Sequence, residues 1–151
     1  MSTMLRRFSL LGVLGSIVAV GILASCKSMP AERFDASLAG TNEVPPVVTS
    51  GSGSGSIEIN PTDRSVSVKI VVTGMTATAA HIHEGARATN GPIIVPLTKT
   101  QDNTFVSAPD AKLTEAQYAS YTAGNLYLNV HSAKNPGGEI RAQLIPPPTK
   151  K

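Results

Sequence analysis

The chain has 151 residues, of which 41 % are hydrophobic and only 4 % aromatic, with no tryptophan. That is length enough for one domain, with a core drawn from Val, Ile, Leu and Ala rather than from large rings. The formal net charge is +3, and two of those charges, Arg6 and Arg7, lie in a stretch expected to be removed. A nearly neutral domain with scattered lysines excludes a nucleic-acid-binding surface.

Arg6 and Arg7 precede an apolar run over residues 10–23, broken only by small residues and Ser16. A positive segment followed by a short apolar one is the pattern of a secretory signal, and the run falls short of the roughly 20 residues a membrane-spanning helix needs. Next comes Leu23-Ala24-Ser25-Cys26, which resembles a bacterial lipobox, where the cysteine becomes the lipidated first residue of the mature protein. Cys26 is the single cysteine of the chain. The expected organisation is therefore a lipoprotein signal peptide over residues 1–25, a lipidated tether over 26–32, one folded domain over 33–146 and a basic tail over 147–151. More than one acyl chain on Cys26 makes membrane anchoring stable. The domain is then expected in a bacterial cell envelope, facing the periplasm or the exterior. Lys27 after the cysteine, rather than Asp, favours the outer membrane in a Gram-negative host. Once Cys26 is modified, neither a thiol nor a disulfide remains, so stability rests on packing and strand pairing.

Arg33-Phe34-Asp35-Ala36-Ser37-Leu38 alternates apolar and polar and predicts a first strand. Gly40 to Pro46 reads as a loop, since Pro45 and Pro46 cannot donate to a central ladder. The Gly-Ser alternation over residues 51–56 runs into Ile57-Glu58-Ile59 and predicts a loose entry to an edge strand. Asn60-Pro61-Thr62-Asp63 supplies turn chemistry. The clearest strand follows, with Val66, Val68, Ile70 and Val72 on its inward face. Gly74-Met75 breaks it, and residues 77–83 make the next, with Ala80 and Ile82 inward and His81 and His83 outward. Further strands are predicted at Ile93-Ile94-Val95 and Thr104-Phe105-Val106, separated by polar residues 98–103. Residues 113–121 predict one helix, with Thr114 and Gln117 as a capping box and Gly124 past its end. Leu126, Leu128 and Val130 face inward on the next strand, opposite Tyr127, Asn129 and His131. Asn135-Pro136-Gly137-Gly138 is a tight turn, and Ile140, Ala142 and Leu144 line the inward face of the last strand. Some eight short strands with turn signals between them predict an all-β fold, an antiparallel Greek-key β-sandwich or barrel with one short helix.

His81, His83 and His131 are all the histidines in the chain. Residues i and i+2 of a strand share a face, so His81 and His83 project side by side. If the strand of His131 lies nearby, three imidazoles converge on one metal ion. Imidazole suits copper, zinc, iron and nickel, and a three-histidine site with an open position also suits a zinc–hydroxide centre. Glu84 and Asn129 are candidates for the hydrogen bonds that orient the imidazoles. Met75 offers a soft thioether, although a Met after a strand more often fills the core. Glu84 and Glu139 lack a nucleophile or pocket to accompany them as a hydrolytic pair.

Phe34, Leu38, Gly40, Asn42-Glu43-Val44-Pro45-Pro46, His81-Ile82-His83-Glu84-Gly85, Asn90-Gly91-Pro92-Ile93, Tyr127-Leu128-Asn129-Val130-His131-Ser132 and residues 136–144 together resemble a CHRD domain, over about residues 33–145. The family occurs in chordin and as a lone domain in bacterial secreted proteins; its biochemical role is poorly defined, so the resemblance implies a domain and no activity. A weaker resemblance is to the copper site of copper–zinc superoxide dismutases, which also use a Greek-key sandwich. There His-x-His-Glu on one strand and Val-His on a later one ligate copper, and an Arg after a Gly-rich turn guides the anion. His81, His83 and His131 match the ligands and Arg141 the anion guide. The bridging histidine, the zinc cluster and the disulfide of that family have no counterpart. What the resemblance implies is a copper site, with zinc as the alternative ion and dismutase-like redox chemistry as one use of it. The competing class is a non-enzymatic module that binds a protein or a polysaccharide at the envelope, with the histidines incidental.

Overall fold

The computed structural model describes residues 29–148. The expected signal peptide, Cys26 and the end of the expected basic tail lie outside the described residues. Eight strands form: β1 (Glu32–Ala39), β2 (Ser52–Ile59), β3 (Val66–Thr73), β4 (Ala77–Glu84), β5 (Ile93–Gln101), β6 (Thr104–Ser107), β7 (Leu126–Ser132) and β8 (Ile140–Leu144), with one helix, α1 (Glu115–Thr122), between β6 and β7. They close into a barrel in the order β1-β2-β3-β6-β5-β4-β7-β8, every pairing antiparallel. The all-β architecture with one short helix is as the strand pattern predicts.

Period-two alternation drives the closure. On β3, Val66, Val68, Ile70 and Val72 are buried and the residues between them exposed. Their partners inside are Leu38, Ile57, Ile59, Ala80, Ile82, Phe105, Leu126, Leu128, Val130, Ile140 and Leu144. Each fully buried aliphatic side chain contributes about 1.5–3 kcal/mol, and with a single cysteine in the chain the fold rests on this packing and on strand pairing.

Two expectations change. The Gly-Ser run is no edge entry: β2 is paired along its whole length with β1 on one side and β3 on the other. Closure abolishes edges, and the alternation itself places Gly53 inward and the serines outward. The predicted strand at Ile93 continues through polar residues to Gln101, because Leu97 keeps the inward phase while Thr98 and Lys99 pair with Val106 and Phe105 of β6. The helix forms as predicted. Thr114 Oγ1 accepts from the Gln117 amide and the Gln117 side chain accepts from the Thr114 amide. Among the described residues no helix is long and apolar enough to cross a membrane.

The part of the barrel wall formed by β7 and β8 is buried on nearly the whole of both faces, and β4 beside it is partly covered. Every residue of β7 except His131 is buried, and on β8 Arg141 is buried although it points away from the core. The outer cover comes from two loops, residues 40–50 and 85–92. Asn42 Nδ2 donates to the Arg141 carbonyl, and Asn90 Nδ2 reaches across to the Val44 carbonyl and ties the loops together.

Candidate metal centre

β4 and β7 pair with Ala79 opposite His131, His81 opposite Asn129 and His83 opposite Tyr127. His131 is thus a diagonal neighbour of His81 on the outward face, within reach of a long side chain. A bulge in the β4–β7 pairing between Ala77 and Ala79, and another in the β4–β5 pairing beside His83, flank the pair. Such irregularities re-aim side chains. The ring centroids stand 4.9 Å apart for His81 and His131, 5.6 Å for His81 and His83, and 6.1 Å for His83 and His131. One ring nitrogen from each lies within 4.8 Å of the other two. The three histidines, 50 residues apart at their widest, do converge.

Their partners assign the ring protons. His83 Nδ1 is 3.0 Å from the Gly91 carbonyl and His131 Nδ1 is 2.9 Å from the Pro136 carbonyl. A carbonyl only accepts, so both Nδ1 atoms carry the proton and both Nε2 atoms present lone pairs. The His83 Nε2 is buried without a partner. His131 Nε2 accepts from His81 Nδ1 at 3.0 Å. Moving the His81 proton from Nδ1 to Nε2 frees a third lone pair with no change of charge. Burial, followed by the fields of His131 and His83, pushes His81 from its ordinary 6.5 to about 4. Burial also lowers His83, partly offset by its bond to Gly91. Neutral imidazoles are what a cation needs.

The carbonyl that orients His83 belongs to a position only glycine can fill. A Cβ on Gly91 would stand 1.7 Å from the Glu84 carbonyl oxygen. Its amide donates to the Tyr127 hydroxyl at 3.1 Å, so the one residue fixes two side chains of the wall. Tyr127 in turn stacks on His83, with centroids 4.9 Å apart and planes 11° from parallel.

A family model for the CHRD domain matches residues 34–144. The chain belongs to the CHRD domain family. No curated protein and no solved structure matches it. The dismutase likeness accordingly rests on the spacing of the histidines and of Arg141 alone.

Within this CHRD domain the remaining candidates take the following places. Arg141 is 1 % exposed. Its Cζ lies 3.4 Å from the centroid of Tyr127, and its terminal nitrogens donate to the side-chain oxygens of Asn90 and Gln143 and to the carbonyls of Ala86 and Thr89. It straps the 85–92 loop to the wall. Glu84 directs its carboxylate to helix α1, accepting from Ser120 Oγ at 2.5 Å, instead of to an imidazole. Asn129 is buried; its Nδ2 donates to Glu43 Oε1 at 2.7 Å and its Oδ1 has no partner. Met75 packs against the core, with its sulfur beside Gly51. Glu139 is held by the hydroxyls of Thr49 and Ser132. The groups that orient the histidines are backbone carbonyls of two turns. Both turns show in the sequence, but nothing there says which carbonyl faces which ring. Glu43 belongs to the motif that resembles the family, but its burial has no signal in the sequence, since it sits in a loop with no periodicity.

Proposed function

We propose that this CHRD domain binds one transition-metal ion through His81 Nδ1, His83 Nε2 and His131 Nε2, with copper the leading ion and zinc the alternative. The observation that carries the reading is the His83 Nε2 lone pair, buried and unpartnered beside two further imidazole nitrogens. Leaving such an atom unmet costs about 1–3 kcal/mol, which a cation would offset. The donor set fits. Three neutral imidazoles, two of them locked by carbonyls, suit Cu or Zn at about 2.0–2.1 Å from each nitrogen. A bound copper ion would supply redox or Lewis-acid chemistry; the chain's own part is to hold three lone pairs in place and to wall one ring off from solvent. His81 and His131 remain half-exposed, which leaves a path to that nitrogen from outside. An envelope lipoprotein anchored through Cys26 and carrying such a site would serve metal storage, delivery or detoxification.

The test is a titration of the purified full chain with Cu(I), Cu(II) and Zn(II) against competing chelators, beside the His81→Ala/His83→Ala variant. The expected result is one ion per chain and at least 100-fold weaker binding in the variant. No binding by the parent, or equal binding by both, overturns the reading. Superoxide turnover is measured separately on the loaded protein.

A further inference from the structure

Two polar side-chain atoms are buried without partners among the described residues, and both lie on this wall: His83 Nε2 and Asn129 Oδ1. Their residues are 8 % and 2 % exposed. Asn129 stands in the midst of the site residues. It is opposite His81 on β4 and opposite Arg141 on β8, and it shares the outward face of β7 with Tyr127 and His131. Both orphans are acceptors, so neither satisfies the other. A cation alone answers the histidine and leaves the amide oxygen unmet. A cation bearing a water offers both kinds of partner: the ion takes a lone pair such as that of Nε2, and the water supplies a hydrogen of the kind that Oδ1 lacks.

The amide is held so that its oxygen is the end left over. Glu43 Oε1 takes the Nδ2 hydrogen at 2.7 Å. Gly138, with φ of 136°, leaves the room for this, since a Cβ there would stand 2.3 Å from Asn129 Nδ2 and 2.9 Å from Glu43 Oε1. The Asn129–Glu43 bond spans 86 residues and closes over a glycine. An asparagine there merely for packing needs no such fixing of its amide.

We infer that Asn129 is a positioning residue for the fourth ligand of the three-histidine site, selecting a protic ligand such as water by accepting its hydrogen bond at Oδ1. The inference rests on the three-histidine reading and adds to it the class of ligand that completes the site: small and able to donate. Ligands without a hydrogen to donate, such as azide, bind against the loss of that bond.

The experiment uses the full chain loaded with one equivalent of Cu(II). Pulsed electron paramagnetic resonance reports nitrogen couplings from the imidazoles, and exchange into D2O reports strongly coupled water protons. Azide affinity is then titrated by the change in the copper spectrum, in the parent and in Asn129→Leu and Gly138→Ala. Leucine removes the acceptor; the alanine Cβ displaces the amide by a different route. Circular dichroism selects the variants that keep the parent fold. The expected result is three imidazole nitrogens and exchangeable protons in the parent, copper retained in the folded variants, and azide bound 5- to 20-fold more tightly by them. Three nitrogens without exchangeable protons overturns the inference and leaves the metal site standing, as does azide affinity equal to the parent's in a folded variant. Loss of copper by more than 100-fold in Asn129→Leu, without exchangeable protons in the parent, makes Oδ1 a direct ligand and also overturns it. A parent that binds no copper removes both readings together.

Discussion

At the scale of residues, two titratable groups, the half-exposed His81 on the wall and the buried Glu43 in the loop over it, pull stability in opposite directions with pH. His81 has an ordinary pKa of 6.5 and one of about 4 in the fold. It binds its proton more tightly when unfolded, so its contribution is full above pH 6.5 and is lost as pH falls toward 4. Glu43 runs the other way. Burial, opposed by Arg141, raises it from 4.5 to about 7, so its contribution is full below pH 4.5 and is lost as pH rises through 7. Between about pH 4.5 and 6.5 the two slopes oppose each other in the metal-free protein. Glu43→Gln removes the second of them. Urea unfolding of metal-free parent and variant at pH 5 and pH 8 is expected to show the variant gaining on the parent at the higher pH by about 1–3 kcal/mol, at about 1.4 kcal/mol for each full pKa unit. A difference between the two proteins that does not change with pH contradicts the raised Glu43 pKa.

At the scale of elements, β4 serves the core and the site with alternate residues. Ala80 and Ile82 are fully buried inside the barrel, while His81 and His83 stand on its outer face. Packing and the proposed ligation therefore use different residues of one strand. Ile82→Ala is expected to cost about 2–5 kcal/mol in stability through the cavity it opens. The folded variant is expected to bind copper within about threefold of the parent, since the backbone ladder sets where the imidazoles stand. A 100-fold loss of affinity in the folded variant would show that core packing, not the ladder, aims them. The same alternation explains what was legible beforehand. Strand positions, inward faces, the helix with its Thr114 cap and the pairing of three histidines all follow from periods and spacings. The second, outer layer does not. Tyr127, Asn129 and Arg141 occupy positions whose alternation reads as solvent-facing, and only the course of two distant loops buries them. Arg141 is the plainest case: its outward phase reads as solvent-facing and the dismutase resemblance implies an anion guide, while in the fold it is buried and its guanidinium donates to four protein oxygens.

At the scale of the whole molecule, the barrel closes through a single residue pair, Ala39 with Arg141. From there toward its N-terminal end β1 has no ladder to β8. Helix α1 lies at that end: Tyr121, fully buried, stacks on Phe34 with centroids 6.1 Å apart and donates from its hydroxyl to Glu32 at 2.9 Å. The seam is thus held by side chains where every other join is held by backbone. Opposite in character is the β4–β7 join, paired over nearly its whole length. Local opening follows the weaker join. Native-state amide exchange is accordingly expected to run at least tenfold faster on β8 and on the first half of β1 than on β4 and β7, and Tyr121→Ala to widen that gap. Uniform exchange around the barrel would mean that the seam does not open separately. If it does, the molecule can breathe at one side while the far wall stays shut, so a cation held there need not be released each time the cylinder parts. How long a guest stays is then set by the most durable staves, not by the clasp.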